Sequence, residues 1–162
     1  MGADNQQERL DPNWVTGFVD GEGCFYVAIN RQPKMKLGWQ VLPEFRIVQH
    51  QRDEQLLKSL QLFFGCGTVT VNHGDRKELR IRGIDNLSKV VDFFRTVPLR
   101  SKKQKDFEIF AEIIEMIKQG LHNSSDGLNA IALLASRMNR QTVSSYLASS
   151  ETTRPTLARV KI

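Results

Sequence analysis

Apolar residues in this 162-residue chain change their period along its length, and each change marks an element. Trp14, Val15, Phe18 and Val19 recur at helical spacing. Asp11-Pro12 ahead of them is a start signal, with Asp11 able to cap and Pro12 pre-set for the first turn. That helix ends around Gly21-Glu22-Gly23. Two extended runs follow, Cys24 to Arg31 and Gly38 to Gln51, and the polar Gln32-Pro33-Lys34 segment between them makes a hairpin. Arg52 to Phe64 places Leu56, Leu57, Leu60, Phe63 and Phe64 on one helical face and stops at Gly65. A second hairpin pairs Thr68 to Asn72 with Lys77 to Arg82 through His73-Gly74-Asp75. Asp85 is the expected cap of a helix carrying Leu87, Val90, Val91 and Phe94, which Pro98 closes.

The resulting order is helix-β-β-helix-β-β-helix. It predicts an α+β fold whose four-stranded antiparallel sheet is covered by helices on one face and open on the other. Beyond Arg100, Phe107, Phe110, Ile113, Ile114 and Ile117 form another amphipathic helix. Ser125 or Asp126 is expected to cap a further one, with Leu128, Ile131, Leu134 and Ala135. Residues 1–139 read as one domain. The stretch 140–162 reads as a basic Ser/Thr-rich tail, part of it ordered only on a partner.

Parity along the strands separates two faces. Phe25, Val27, Ile29, Trp39, Val41, Phe45, Ile47, Val69, Val71, Leu79 and Ile81 are all odd-numbered and define the expected core face. The even positions carry Tyr26, Ala28, Asn30, Gln40, Leu42, Glu44, Arg46, Val48 and His50, then Thr68, Thr70, Asn72, Glu78, Arg80 and Arg82. An ordinary solvated sheet face is one reading of that mixture. The other is a surface that reads the DNA major groove, where Arg suits guanine, Asn or Gln adenine, Glu cytosine, and small apolar groups the thymine methyl. A strand of about eight residues spans roughly 27 Å, the rise of about eight base pairs.

Charge strengthens the second reading. Lys and Arg total 23 against 18 Asp and Glu, a formal net charge of +5. The densest cationic cluster is Arg100, Lys102, Lys103 and Lys105, ahead of the Phe107 helix, where cations oppose the helix dipole and phosphate contact is a reason for them. Arg31, Lys34, Lys36, Arg76 and Lys77 sit at hairpin tips. No apolar run approaches the roughly 20 residues of a membrane span, and the start lacks a cationic-then-apolar signal pattern. Cys24 and Cys66 are lone and read as buried reduced thiols. The expectation is a soluble intracellular protein with no membrane partner.

The chemistry centres on the first helix. Two glycines four apart each cost about 1 kcal/mol relative to alanine, and two carboxylates face the negative end of the dipole. Gly17 and Gly21 share a face and admit another helix at backbone distance. A divalent cation would offset the carboxylates, with the carbonyl near Gly21 as a further hard oxygen ligand. A plain C-capped helix ending in a turn is the competing reading.

The nine residues Val15-Thr16-Gly17-Phe18-Val19-Asp20-Gly21-Glu22-Gly23 resemble, in register, the signature helix of LAGLIDADG homing endonucleases. The similarity extends through the element order, Gln49 near the end of the second strand, and Leu99-Arg100-Ser101-Lys102-Lys103-Gln104-Lys105 before a helix, and reaches about Asn139. The resemblance implies that Glu22 is the metal-binding catalytic acid, with the Gly21 carbonyl as helper ligand and Asp20 structural. It implies that Gln49 and Lys102 organise water and phosphate near the metals, with Arg52 sharing this work. The implied cofactor is Mg²⁺, with Mn²⁺ or Ca²⁺ able to occupy the site, and no small-molecule cofactor.

Only one motif is present. The resemblance therefore implies a homodimer whose signature helices pack through Trp14, Gly17, Phe18 and Gly21, and a long pseudo-palindromic double-stranded DNA target cut in both strands. On this reading the even face reads bases, while Arg31 and Lys103 contact the DNA backbone. It also implies an intron-encoded protein of chloroplast or mitochondrion. Two departures from the consensus stand out. Glu22 replaces the commoner Asp, and Thr16 adds a methyl and a hydroxyl at the expected helix interface. A non-catalytic DNA-binding protein and a maturase acting on structured RNA are the alternatives on the same scaffold. His122-Asn123 lacks the paired ligands of an HNH-type nuclease, and no Ser or Cys sits in a nucleophile-elbow context.

Overall fold

In the structure, a computed structural model that describes residues 9–139 and 144–149, Asp11 starts the first helix as its sequence position predicts. Its Oδ1 accepts from the N–H of Asn13 at 2.8 Å and of Trp14 at 3.1 Å, satisfying two donors that a helix N-terminus leaves unpaired. Helix α1 spans Pro12–Glu22. At its end Gly23 turns the chain directly into a strand. A Cβ at Gly23 would lie 2.6 Å from Val19 Cγ1, so only glycine allows the strand to leave so close to the last helical turn.

The elements then follow in the expected order: β1 Gly23–Arg31, β2 Trp39–His50, α2 Glu54–Phe64, β3 Thr68–His73, β4 Arg76–Ile81, α3 Ile84–Thr96, α4 Lys103–Lys118, α5 Ser125–Ala135 and α6 Ser145–Ala148. A short 3-10 turn, Gln51–Asp53, precedes α2. The strands form one four-stranded sheet in the order β1-β2-β4-β3, with β4 antiparallel to both β2 and β3. Gly65 ends α2 in the left-handed conformation, φ +70°, as its sequence position predicts.

Two cap assignments are corrected. Helix α3 begins one residue after Gly83, and Asp85 lies inside its first turn, where its charge suits the dipole without capping. Helix α5 is capped by Ser124, whose Oγ accepts from Gly127 N–H at 3.1 Å, so neither Ser125 nor Asp126 is the cap. In both places several adjacent residues have capping chemistry, and the backbone path selects among them.

The backbone groups into two compact units, one formed by residues up to 24 with 45–101, the other by 25–44 with residues from 102 onward. The first unit is built on aromatic rings: Phe45 lies 5.6 Å from Phe64 and 5.9 Å from Phe94, and Phe93 4.9 Å from Phe94. Val15, Val19, Ile47, Leu57, Leu60, Leu79, Ile81, Leu87 and Val90 are fully buried in it. In the second unit Phe25 lies 5.5 Å from Phe107 and 5.2 Å from Phe110. Ile29, Trp39, Leu128, Ala132 and Tyr146 form a separate apolar cluster there.

The odd-face rule holds in the strand centres and fails in three places. Val71 is 60% exposed, because β3 is an edge strand whose register shifts between Val71 and His73. Glu44 and Glu78, expected on the open face, are buried. Around Glu44 the alternation breaks, since Pro43, Glu44 and Phe45 are consecutively buried. Glu78 is covered by its own hydrogen-bonding neighbours, described below.

Cys24 and Cys66 are half-buried and outside any disulfide, and burial pushes the Cys66 thiol above its ordinary value, with Lys89 opposing. Among the described residues no helix is long and apolar enough to cross a membrane. Residues 140–143 and 150–162 of the expected tail lie outside the described residues. Ser145–Ala148, by contrast, is a helical turn capped by Ser144, and Tyr146 is buried with its ring 5.2 Å from Trp39, edge to face. Tyr146→Ala is expected to lower stability by about 3–5 kcal/mol in equilibrium urea unfolding, the cost of emptying a packed aromatic site. A change under 1 kcal/mol would show that this turn adds nothing to the core.

Candidate functional site

The end of α1 carries two carboxylates that the fold uses differently. Asp20 turns to the segment after α3. It accepts from Arg100 N–H at 2.7 Å and Ser101 N–H at 3.1 Å, and from the Ser101 hydroxyl. These donors give the negative charge the compensation that the helix terminus denies it. Thr16, one turn earlier, is buried and donates its hydroxyl to the Val97 carbonyl at 3.1 Å. That corrects the expectation of Thr16 at an interface between helices, because its hydroxyl ties α1 to its own chain. Together Thr16 and Asp20 clip α1 to residues 97–101 along one side.

Glu22 is exposed and has a different partner. Gln49 Nε2 donates to Glu22 Oε2 at 3.2 Å, across 27 positions of sequence. Gln49 is odd-numbered, near the end of β2, so it leaves the sheet on the face opposite the even-numbered residues. Among the described residues this amide is the only hydrogen-bond partner of Glu22. The contact orients the carboxylate and takes one of its roughly four lone-pair sites. With the Gly21 carbonyl in the same last turn, the donor set is entirely oxygen, the kind Mg²⁺ and Ca²⁺ accept. Among the described residues no group of three His, Cys, Asp or Glu could hold a metal ion by itself.

The remaining expected residues divide. Lys102 is exposed at the N-cap position of α4, in the second unit, and Lys103 begins that helix. The Arg52 side chain is exposed, with Nε 3.9 Å from Asp53, and the Arg52 backbone N–H donates to His50 Nδ1. The other ring nitrogen of His50, Nε2, is 3.1 Å from Asp75, so His50 ties the end of β2 to the β3–β4 turn. Lys77, counted from sequence only as a hairpin-tip cation, is the cross-strand neighbour of Gln49 and lies 3.8 Å from Glu54. Its place beside Gln49 depends on strand register, which no local pattern reveals.

Trp14, Gly17, Phe18 and Gly21 form one stripe along α1. Trp14 is 44% exposed and stacks on Phe18 at 5.1 Å, and a Cβ at either glycine would meet no atom within 4 Å. Beside it a cleft of about 500 Å³ is lined by Asn13, Thr16, Gly17, Asp20 and residues 96–100. On the sheet, Tyr26, Asn30, Thr68, Thr70 and Asn72 are exposed, and Ala28, Gln40, Leu42, Arg46, Val48, His50 and Arg80 are half-buried; Arg82, expected on the strand, is exposed just past the end of β4. Arg31 lies over the Trp39 ring, 5.2 Å from its centroid.

The sequence pattern of LAGLIDADG endonucleases matches residues 15–114, more than half of the chain, and the chain belongs to that family. It is 55% identical to the homing endonuclease I-TnaI, whose crystal structure it matches with a TM-score of 0.80 over 82% of this chain and 90% of that one. It also matches the I-SmaMI LAGLIDADG homing endonuclease bound to cleaved DNA, at a TM-score of 0.82 and 31% identity, over 85% of this chain and 46% of that one. "Probable intron-encoded endonuclease 3" of Neurospora crassa is 31% identical over 138 residues, covering 83% of this chain and 26% of that protein. The chain thus spans about a quarter of the length of several curated relatives it matches.

Asp20→Ala is expected to cost about 1–3 kcal/mol, with faster amide exchange at Arg100 and Ser101 than in the wild type. Unchanged exchange at both amides would remove Asp20 from the role of clip.

Proposed function

We propose that this chain is one half of a divalent-metal-dependent, site-specific endonuclease that cuts both strands of a long pseudo-palindromic DNA site as a homodimer. The observation that carries the reading is the Glu22 carboxylate, exposed at the end of α1 and oriented by Gln49 at 3.2 Å. Glu22 and the Gly21 carbonyl are the residues that would hold the cation. When bound there, a divalent cation supplies Lewis acidity and a more acidic water. Gln49 keeps the Glu22 carboxylate in one orientation and can hand a hydrogen bond to water, which positions the nucleophile. Lys102 supplies a point charge for a phosphate.

Two observations support the homodimer. One catalytic carboxylate per chain suits one strand break per chain. The Trp14, Gly17, Phe18 and Gly21 stripe supports the same reading, since an exposed Trp14 stacked on a half-buried Phe18 beside two glycines at helical spacing suits close approach of an identical helix. Each subunit would read a half-site with the exposed and half-buried even-face residues, and Arg31 and Lys103 would meet phosphates. Names such as "Probable intron-encoded endonuclease 3" support an organellar, intron-encoded origin.

Glu22→Gln is expected to bind DNA as the wild type does and to cleave at least about a hundredfold more slowly in Mg²⁺, measured on sites selected from a randomised library. Wild-type protein that binds DNA and never nicks it sinks the enzyme reading. Sedimentation at micromolar concentration is expected to give a dimer, and Gly17→Leu a monomer, because a leucine would separate the two helices. A wild type that stays monomeric and cuts an asymmetric site would rule out the homodimer.

A further inference from the structure

Glu78 occupies an unexpected place on the reading face. It is an even-numbered residue of β4, flanked across the strands by Val48 on β2 and Thr70 on β3, in a sheet whose even face carries the exposed readers. Its side chain is nevertheless only 2% exposed. Both carboxylate oxygens are engaged: Oε1 is 2.6 Å from Arg80 Nη2, and Oε2 accepts from Asn72 Nδ2 at 3.0 Å. One row along, Arg80 stands directly opposite Arg46. Two guanidinium groups facing each other across a strand pair repel, and the carboxylate between the rows offsets this for Arg80.

Each bonded oxygen keeps a further lone-pair site, but a carboxylate only 2% exposed has almost no surface to present to cytosine. Arg80 and Asn72, by contrast, are donors that reach solvent: the Arg80 side chain is 31% exposed and the Asn72 residue is exposed. We infer that Glu78 is a positioning residue for DNA specificity, not a base reader: it holds the Arg80 guanidinium and the Asn72 amide in fixed orientation, so that Arg80 discriminates guanine. This rests on the DNA-binding reading above. The three residues act as a unit, because a flexible arginine also finds phosphates and other acceptors and so discriminates less than a fixed one.

Two measurements test it. The first is made on the free protein, and it stands even if DNA binding fails. By NMR relaxation, Arg80 Nε–H is expected to be ordered in the wild type and mobile in Glu78→Gln; equal order in both overturns the inference. The second uses double-stranded DNA sites randomised one base pair at a time, with binding read in Ca²⁺. Arg80→Ala should flatten the preference at one base pair. Glu78→Gln should flatten the same base pair by about tenfold, and the double variant no more than Arg80→Ala alone. Should Glu78→Gln not fold, Glu78→Asp, one methylene shorter and still charged, takes its place with the same expected direction. An effect of Glu78 confined to a different base pair, or none where Arg80 has one, overturns it. Wild-type protein that binds no DNA defeats the DNA-binding reading, while the NMR measurement still judges whether Glu78 positions Arg80.

Discussion

Asp20 and Glu22 lie two residues apart at the C-terminal end of α1, where the helix dipole is negative and disfavours both. The fold resolves this by giving the two charges different neighbours. Asp20 is surrounded by backbone and hydroxyl donors of Arg100 and Ser101, so its charge fastens α1 to the segment that follows α3. Glu22 receives a single neutral amide from Gln49. A neutral donor orients a carboxylate without cancelling its charge, which leaves it able to attract a cation. Exchanging the two arrangements would leave a mobile charge where the chain needs a clip and a quenched one where the proposed chemistry needs an acid.

The faces of α1 follow from the same constraint. Val15, Thr16 and Val19 point into the protein, with Thr16 reinforcing the clip through Val97, and the Trp14, Gly17, Phe18 and Gly21 stripe stays outside. Glycines that weaken a helix in isolation are tolerable here because buried contacts and the clip hold the helix on its other side. On the sheet a similar division holds. Side chains on the even-numbered face are not equivalent, because Glu78 is buried with its two carboxylate oxygens bonded to Arg80 and Asn72.

Much of the fold was legible from local pattern. The order of elements, the Asp11 cap, the Gly65 stop and the core positions Phe25, Phe45, Ile47, Leu79 and Ile81 all emerge where the sequence places them. The misassigned caps of α3 and α5 lie within two residues of the observed ones, since neighbouring polar residues compete for a position that the incoming chain direction selects. Parity failed where a residue departs from the regular ladder or gains polar partners: Val71 at a bulged edge, Glu44 in a stretch buried at consecutive positions, Glu78 bonded to Asn72 and Arg80.

By itself the sequence determined the family, through nine consecutive residues in register, and with them the identity of Glu22 as the candidate acid. Helical period, strand alternation and caps depend on neighbours a few positions apart, so they can be read along the chain. Tertiary structure alone decided that Gln49 reaches Glu22 across 27 positions, that Asp20 meets Ser101 across 81, that Lys77 stands beside Gln49, and that Glu78 meets Asn72 on the neighbouring strand. Each of those pairings requires a strand register or a chain reversal, and these are set by how whole elements pack rather than by the residues that finally touch.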